Sequence, residues 1–473
     1  MLEAAIGLEV HLALATDSKL FCGCSAAGFG LEPNLNTCPV CLGLPGSLPV
    51  VNERAVDLAT AFALALGCRL GSQGGFHRKH YFYPDAPKNY QISQFDDPIG
   101  LGGSVDLPSG QRVRIARCHL EEDAGRLAHP AYADHSLVDL NRAGAPLIEL
   151  VSEPDLRTPE QARDFLVEVQ AIARALGVSE ASPEEGKMRA DVNVSLREPG
   201  APLGVKVEVK NLNSFRNVMA ALAFEIKRQT LLIEAGRPVV LETRGFNEGG
   251  QRTFSLRSKE ESADYRYLPD PDLPPVLAPR LRAEQIAPGL GELPRARAER
   301  YQRAGLRAAD ALQLAYEPGA AALFDSVSSV FGGDPQVVSN WLTGDVAAAL
   351  KEPDTSLSWR SIDPGTLAEL LSLVAKGSIT GPVAKELLPE VLAGASAEGL
   401  VAARGLASVA DESALGALVD EVLAREGELV ARVRANPNAV NALLGQVMKA
   451  SGGRATPAVV RRILDERLGS AGG

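Results

Sequence analysis

The sequence predicts an α+β domain over residues 1–290 and an all-helical remainder, and three observations lead there. The first 290 residues are rich in two-residue alternation, glycine, proline and aromatics, the marks of half-buried strands joined by tight turns. These strand-like runs are not separated by regular crossover helices, so a mixed or antiparallel sheet is expected, not a doubly wound parallel one. From about residue 290 onward, Ala, Leu, Glu and Arg recur with the 3.6-residue period of helices that bury one face.

Along the chain, IGLEVHLAL (6–14) reads as a strand with Glu9 and His11 on one face and Leu8, Val10 and Leu12 on the other. Residues 52–66 carry a helical pattern. The segment HRKHYFYPDAPKNYQISQ (77–94) follows, readable either as a twisted strand and proline turn or as a phosphate- and base-contacting stretch through Lys79, Tyr83 and Lys88. RVRIARCHL (112–120) alternates as a strand; His119, Glu121 and Asp123 share a parity, with Glu122 opposite if the strand continues. GAPLIELV (144–151) is an apolar run carrying Glu149.

Thr158, Pro159 and Gly177 delimit a helix over 158–177, by a capping hydroxyl, a first-turn proline and a closing glycine. DVNVSL (191–196) and KVEVK (206–210) are two further strands, the first aligning Asp191 with Asn193. EVKNLNSFRNV (208–218) offers Glu208, Lys210, Asn211 and Asn213 just before a helix, where Asn213 or Ser214 could instead be an N-cap. The prolines of DYRYLPDPDLPPVLAP (264–279) exclude a helix interior or central strand and close the domain. A helical domain over 291–405 and a small helical tail over 406–473 are then expected, divided at GLASVADES (405–413), with a break also at Gly377, Gly381 and Pro382. In the tail, NPNAVNALLGQVMKAS opens on a proline after Asn436, and TPAVVRRILDERLG supplies a second capped helix.

A formal charge of -11 excludes a generic nucleic-acid-coating protein, whose surface should be broadly basic. A local contact is still allowed: from Arg432 to the end, seven basic residues face two acidic ones. That makes the tail the candidate phosphate-facing surface, with a solvated helical face as the plain alternative. The opening residues lack a basic region followed by an apolar run, no run is long enough to span a bilayer, and a cytoplasmic location is expected.

Cys22, Cys24, Cys38 and Cys41 form a CxC and a CxxC separated by 13 residues. Two close thiolate pairs can wrap one zinc ion tetrahedrally, and four thiolates leave no open position, so the metal would be structural. Ordinary cytosolic thiols or a partly degenerated site are the alternatives. All six histidines lie at or before residue 135, which confines histidine chemistry to the front of the first domain. Carboxylates clustered with Glu9, His11 and Asp191 suit magnesium and phosphate oxygens, although each alone is a common polar strand face. No GxxxxGK[ST] and no GxSxG occur, so neither a P-loop nor a serine hydrolase is expected.

At these motifs the chain resembles the B subunits of the aspartyl/glutamyl-tRNA(Asn/Gln) amidotransferases, the GatB/GatE family. IGLEVH, the cysteine pairs, HYFYPDAPKNYQISQFD, HLEEDAG, NRAGAPLIELVSEPD, MRADVNVSL, VEVKNLNSFRNV, ETRGFNE, RSKEESADYRYLPDPDLPP and NPNAVNALLGQVMK carry the likeness over nearly the whole chain. Leu268 and Ser451 depart from the family pattern, away from the chemistry.

The resemblance implies a cradle domain akin to the glutamine synthetase fold, then a helical domain and a helical tail that cradles transfer RNA. It implies ATP, Mg2+ and a structural Zn2+. The activity implied is transamidation of misacylated Glu-tRNA(Gln) and/or Asp-tRNA(Asn) through a phosphorylated side-chain carboxylate. Ammonia would come from a partner amidase, the family's A subunit, joined by a small C subunit. A non-discriminating aminoacyl-tRNA synthetase is a further partner that the resemblance admits. Carried onto this chain, the metal and phosphate site comprises Glu9, His11, Glu122, Glu149 and Asp191, with Glu121 and Asn193 nearby; strand parity prefers Glu121 over Glu122. Lys79, Tyr83 and Lys88, with Glu208 and Lys210, are expected nucleotide contacts. Two other readings compete: an RNA-binding scaffold without catalysis, and a free-standing ligase of a small carboxylate, which would give the helical half nothing to grip.

Overall fold

The computed structural model describes residues 2–469 apart from 28–29, 72, 131–133, 259–264, 277–278, 353–356, 409–411 and 437–438. Parts of the expected break at 405–413, of the proline turn after Asn436 and of the stretch 257–279 therefore lie outside the described residues. The chain divides into two compact units, Met1–Pro294 and Arg295–Gly473.

The first unit is built on one large sheet. Its strands are β1 (Glu3–Ala13), β2 (Arg69–Leu70), β5 (Gly100–Leu101), β6 (Ser104–Asp106), β7 (Arg112–Glu122), β10 (Pro146–Ser152), β11 (Met188–Arg197), β12 (Val207–Leu212), β13 (Glu242–Asn247) and β14 (Arg252–Ser258). Between them in sequence, β3 (His77–His80) and β4 (Tyr90–Ser93) form a hairpin that β15 (Leu268–Pro269) joins, and β8 (Arg126–Ala128) pairs with β9 (Leu137–Asp139). The order across the large sheet is β14-β13-β12-β11-β1-β10-β7-β5-β2, with β6 also on β7. Only β12 and β13 run parallel among these pairs, so the sheet is the mixed, mostly antiparallel one that the pattern predicts.

Two-residue periodicity gives β1, β10, β7 and β11 two unlike faces. Leu8, Val10 and Leu12 are buried with Cys118, Leu120, Ile148, Leu150, Val192 and Val194. After the single-turn helix α1 (Pro39–Leu42), three longer helices follow: α2 (Glu53–Ala65), α3 (Pro159–Ala175) and α4 (Phe215–Glu234). Their apolar faces complete that core, which is why these three are amphipathic. As the sequence predicts, Thr158 caps α3 by accepting from the Gln161 amide (3.2 Å). Phe165 on α3 is fully buried. Phe165→Ala is expected to cost about 3–5 kcal/mol, the lost transfer energy plus the cavity left behind, as read by urea unfolding.

The second unit is helical throughout its described residues. One core gathers Leu314, Phe324, Val338, Leu367, Leu371 and Leu387, and another gathers Leu415, Val419, Leu443, Val447, Val460 and Leu464. No helix of the described residues is long and apolar enough to cross a membrane.

Candidate active site

The face of the sheet turned away from the helices is polar. Strand register sets His11 opposite Glu149, Glu149 opposite His119, Glu9 opposite Asp191 and Asn193 opposite Glu208. Cross-strand partners project to the same face, so five strands deliver these groups to one place. Two clusters result, and in each the candidate ligand atoms lie within 4.8 Å of one another: His11, Glu121 and Glu149 in the first, Glu9, Asp191 and Glu208 in the second.

In the first cluster, His11 Nε2 stands 3.3 Å from Glu149 and 3.5 Å from Glu121, while His119 Nε2 lies 3.5 Å from Glu149. Burial pushes the Glu149 carboxyl up, but the charges and hydrogen bond of His119 and His11, with the Lys79 ammonium, outweigh it and hold the group well below the usual carboxylate range. Burial opposes protonation of His11 as well; the Glu149 hydrogen bond and the surrounding carboxylates win and raise it to about 9. For His119 burial prevails and lowers it.

Metal coordination at His11 requires the neutral ring, so a divalent cation at this cluster is expected to release about one proton at neutral pH and to bind more tightly as pH rises toward about 9. Titration calorimetry in buffers of different ionisation enthalpy reads this directly. The absence of proton release would remove His11 from the ligand set. In the cation-free protein the same shift stabilises the fold fully below the ordinary histidine value of 6.5, and that contribution disappears as pH rises through about 9.

The second cluster is arranged differently. Lys210 Nζ lies 2.8 Å from both Asp191 and Glu208, Thr243 Oγ1 donates to Glu208 (3.0 Å), and Asn193 Nδ2 donates to Glu9 (3.0 Å). Burial, then the Glu149 charge, push Glu9 up. An ammonium therefore already balances two of these carboxylates, whereas the first cluster relies on imidazoles. The all-oxygen second cluster is the harder donor set, but Lys210 already balances two of its carboxylates, which leaves His11, Glu121 and Glu149 as the set more open to a divalent cation. Two buried atoms on this face, His119 Nδ1 and Asn193 Oδ1, have no hydrogen-bond partner among the described residues, so both are available to water or a polar ligand.

The sulfurs of Cys22, Cys24, Cys38 and Cys41 also lie within 4.8 Å of one another and could hold a metal ion. A tetrahedral zinc with Zn–S of about 2.3 Å would draw them to about 3.8 Å apart. Hydrogen bonding from Cys22 is the main cause that brings Cys41 down to about 4, so one sulfur already favours the thiolate that a metal needs.

A model of the GatB/GatE catalytic domain matches residues 4–282, over half of the chain, and a model of the GatB domain matches residues 322–468. The chain belongs to the GatB/GatE family. It is 54% identical to the B subunit of the aspartyl/glutamyl-tRNA(Asn/Gln) amidotransferase of Thermus thermophilus over 471 residues, 99% of this chain and 100% of the relative. It is 50% identical to the protein of the same name in Deinococcus radiodurans, covering 99% of each. Against the B subunit of the chloroplastic/mitochondrial glutamyl-tRNA(Gln) amidotransferase of Sorghum bicolor it is 43% identical over 98% of this chain and 87% of the relative.

Not every expected residue of this GatB/GatE chain reaches the clusters. Glu121 does and Glu122 does not, because neighbouring strand positions face opposite ways: Glu122 Oε1 accepts from Lys88 Nζ (2.5 Å) and from the Ile92 amide (2.8 Å). Lys88 is thereby buried against Glu122, so the structure does not bring this expected nucleotide contact to the cluster. Tyr83 is exposed. Lys79 lies over the Tyr265 ring (5.1 Å), and the fields of Glu121, Tyr267 and Glu149 outweigh burial to raise its ammonium's pKa. His119, which strand parity already aligned with Glu121, and the pair Tyr265 and Tyr267 enlarge the expected set; the two-residue spacing of the tyrosines is the signal that could have found them. In the tail, Arg461, Arg462 and Arg467 pair with Asp465, Glu466 and Asp420, while Arg432 and Lys449 are exposed. Surface pairs of this kind contribute little, about 0–1 kcal/mol.

Proposed function

We propose that this chain is the transfer-RNA-handling, ATP-dependent subunit of an amidotransferase that converts misacylated Glu-tRNA(Gln) and/or Asp-tRNA(Asn) to Gln-tRNA(Gln) and/or Asn-tRNA(Asn). The observation that carries this reading is the pair of adjoining carboxylate clusters on the open sheet face, one paired with imidazoles and one with a lysine. The names of the relatives agree with it. A carboxylate is a poor acyl donor because its leaving oxygen is bad, and phosphorylation supplies a better leaving group, phosphate, for attack by ammonia.

His11, Glu121 and Glu149 would hold Mg2+, with Glu9, Asp191 and Asn193 beside it. When bound, the ion offsets the charge that ATP phosphates and the substrate carboxylate bring together. Lys79 and Lys210 present fixed positive charge toward the same anions, and Glu208 orients Lys210 (2.8 Å). The structural Zn2+ we assign to the four cysteines. Ammonia would arrive from the partner amidase, the A subunit, and the small C subunit would complete the enzyme; a non-discriminating aminoacyl-tRNA synthetase is a further candidate partner. The open, mostly antiparallel sheet backed by helices supports a cradle akin to the glutamine synthetase fold. Separate cores around Leu371 and Leu443 support a helical domain over 291–405 and a tail over 406–473 that grips the transfer RNA. The cytoplasm is the compartment we expect.

The test is ATP hydrolysis and amide formation by the reconstituted enzyme, supplied separately with glutamyl- and aspartyl-tRNA. Magnesium-dependent ATP turnover that requires a misacylated transfer RNA and this subunit is expected. ATP use that persists without this subunit would return the chain to a scaffold.

A further inference from the structure

The four-cysteine knuckle and the carboxylate clusters meet through Glu122 and Lys88. The knuckle's short helix, α1, ends at Gly43 with φ of 67°, two residues past Cys41. A Cβ at Gly43 would fall 2.4 Å from Lys88 Cγ, so the lysine stem lies directly on the knuckle backbone. On the other side, Gly144 (φ +86°) is the meeting point of three groups. A Cβ there would stand 3.5 Å from Cys41 Cβ, 3.6 Å from Lys19 Cδ and 3.7 Å from Glu122 Oε2. Lys19 is fully buried, with Nζ 2.8 Å from the Asn36 carbonyl and 3.8 Å from Cys41 Sγ, and the Leu20 amide donates to the Gly144 carbonyl (2.9 Å).

Lys88 and Glu122 form a pair in which both side chains are nearly buried, 8% and 4% exposed. Such a pair holds its place only if the protein around it fixes both ions, because the desolvation of each is offset only by good geometry. Glu122 is tied in turn to the hairpin by the Ile92 amide, and the Gln91 side chain donates to its carbonyl (2.9 Å). Its chain neighbour is Glu121, whose carboxylate receives Ser93 Oγ at 3.5 Å and faces His11.

We propose that the metal-loaded knuckle is the abutment for the Lys88–Glu122 pair and so positions Glu121 in the cation cluster, coupling occupancy of the two metal sites. Lys88 and Glu122 are then positioning residues that do not touch substrate, which accounts for their burial away from the cluster they serve. Loss of knuckle metal lets the loop carrying Gly43 withdraw from Lys88, the pair loosens, and the end of β7 no longer holds Glu121 toward His11. By linkage, a divalent cation at the cluster tightens zinc at the knuckle by the same factor. The proposal rests on the cation-binding reading of His11, Glu121 and Glu149.

The experiment is Mn2+ binding to the full chain, followed by electron paramagnetic resonance, in the zinc-loaded protein and after zinc is stripped by a chelator. Wild type and Lys88→Met are compared in both states, and the relevant site is defined as the one lost in Glu149→Gln. Stripping zinc from the wild type is expected to weaken Mn2+ about tenfold or more, as is typical of coupling between sites. Zinc-loaded Lys88→Met should show a similar loss, and stripping that variant should add little. Mn2+ affinity indifferent to zinc, or losses that multiply in the variant, would overturn the proposal. Should stripping unfold the first unit, zinc-loaded Gly43→Ala decides: it displaces Lys88 and leaves the four thiols in place, so weaker Mn2+ with zinc retained supports the proposal and unchanged Mn2+ overturns it. Absence of any Glu149-dependent Mn2+ site in the zinc-loaded wild type would overturn the cluster reading together with this inference.

Discussion

Glu149→Gln is expected to lower ATP-dependent amidation by roughly three orders of magnitude or more, on the scale of removing a group that holds charge in a transition state. Glu149 is the hub of the first cluster, 3.3 Å from His11 and 3.5 Å from His119, and both imidazoles are the causes that hold its carboxyl ionised against burial. Glutamine keeps the shape and removes the charge. His11 then loses the partner that raises it to about 9, so its protonation falls back toward that of an ordinary histidine and proton release on cation binding shrinks. Under the proposed function the amidase site belongs to a partner chain and the transfer-RNA grip to the helical tail, so glutaminase activity and transfer-RNA binding are expected to persist. Rates measured for the reconstituted enzyme, with proton release on cation binding followed in parallel, test both halves; amidation within tenfold of wild type would sink the assignment of Glu149.

Lys210→Met should have the second largest effect, a loss of roughly a hundredfold in ATP turnover, the scale of removing one charge-stabilising group, partly recovered at high magnesium. Lys210 is the cation that Asp191 and Glu208 share at 2.8 Å, and the charges of these two carboxylates outweigh its burial to raise its pKa. Without it, Glu9, Asp191 and Glu208 are left as neighbouring carboxylates, and like charges in one place drive one of them to take up a proton. Added Mg2+ can neutralise the same oxygens but lacks the lysine's fixed position. The readout is turnover as a function of magnesium concentration. A variant with unchanged turnover and unchanged magnesium demand would show that Lys210 is only a structural counter-ion.

Strand parity was the strongest guide to the site, since in a strand the alternation of faces is a local property of the backbone. It aligned Glu9 with His11 and Asp191 with Asn193, and it preferred Glu121 to Glu122, an order that the register of β7 against β10 reproduces. Parity has no reach across strands. That His11 meets Glu149 while Glu9 meets Asp191 depends on which strands are neighbours, and β1 sits between β10 and β11 although about 130 residues separate it from the first of them. The cysteine spacing likewise brought four sulfurs together without the fold, because the two pairs are joined by one short loop. Arg467 read as part of a basic surface because its acidic partner, Asp420, lies 47 residues away in sequence.

By itself, then, the sequence determined the local periodicities: an α+β unit followed by helices, the polar faces of individual strands, the four-thiol knuckle and the family motifs. Only the tertiary structure decided that the carboxylates divide into two clusters, that one is balanced by imidazoles and the other by Lys210, and that Lys88 pairs with Glu122 and does not itself reach the cluster. The physical reason is that charge balance and burial are set by contacts between residues far apart in the chain, and a one-dimensional pattern carries no record of which side of a sheet its neighbours come to share.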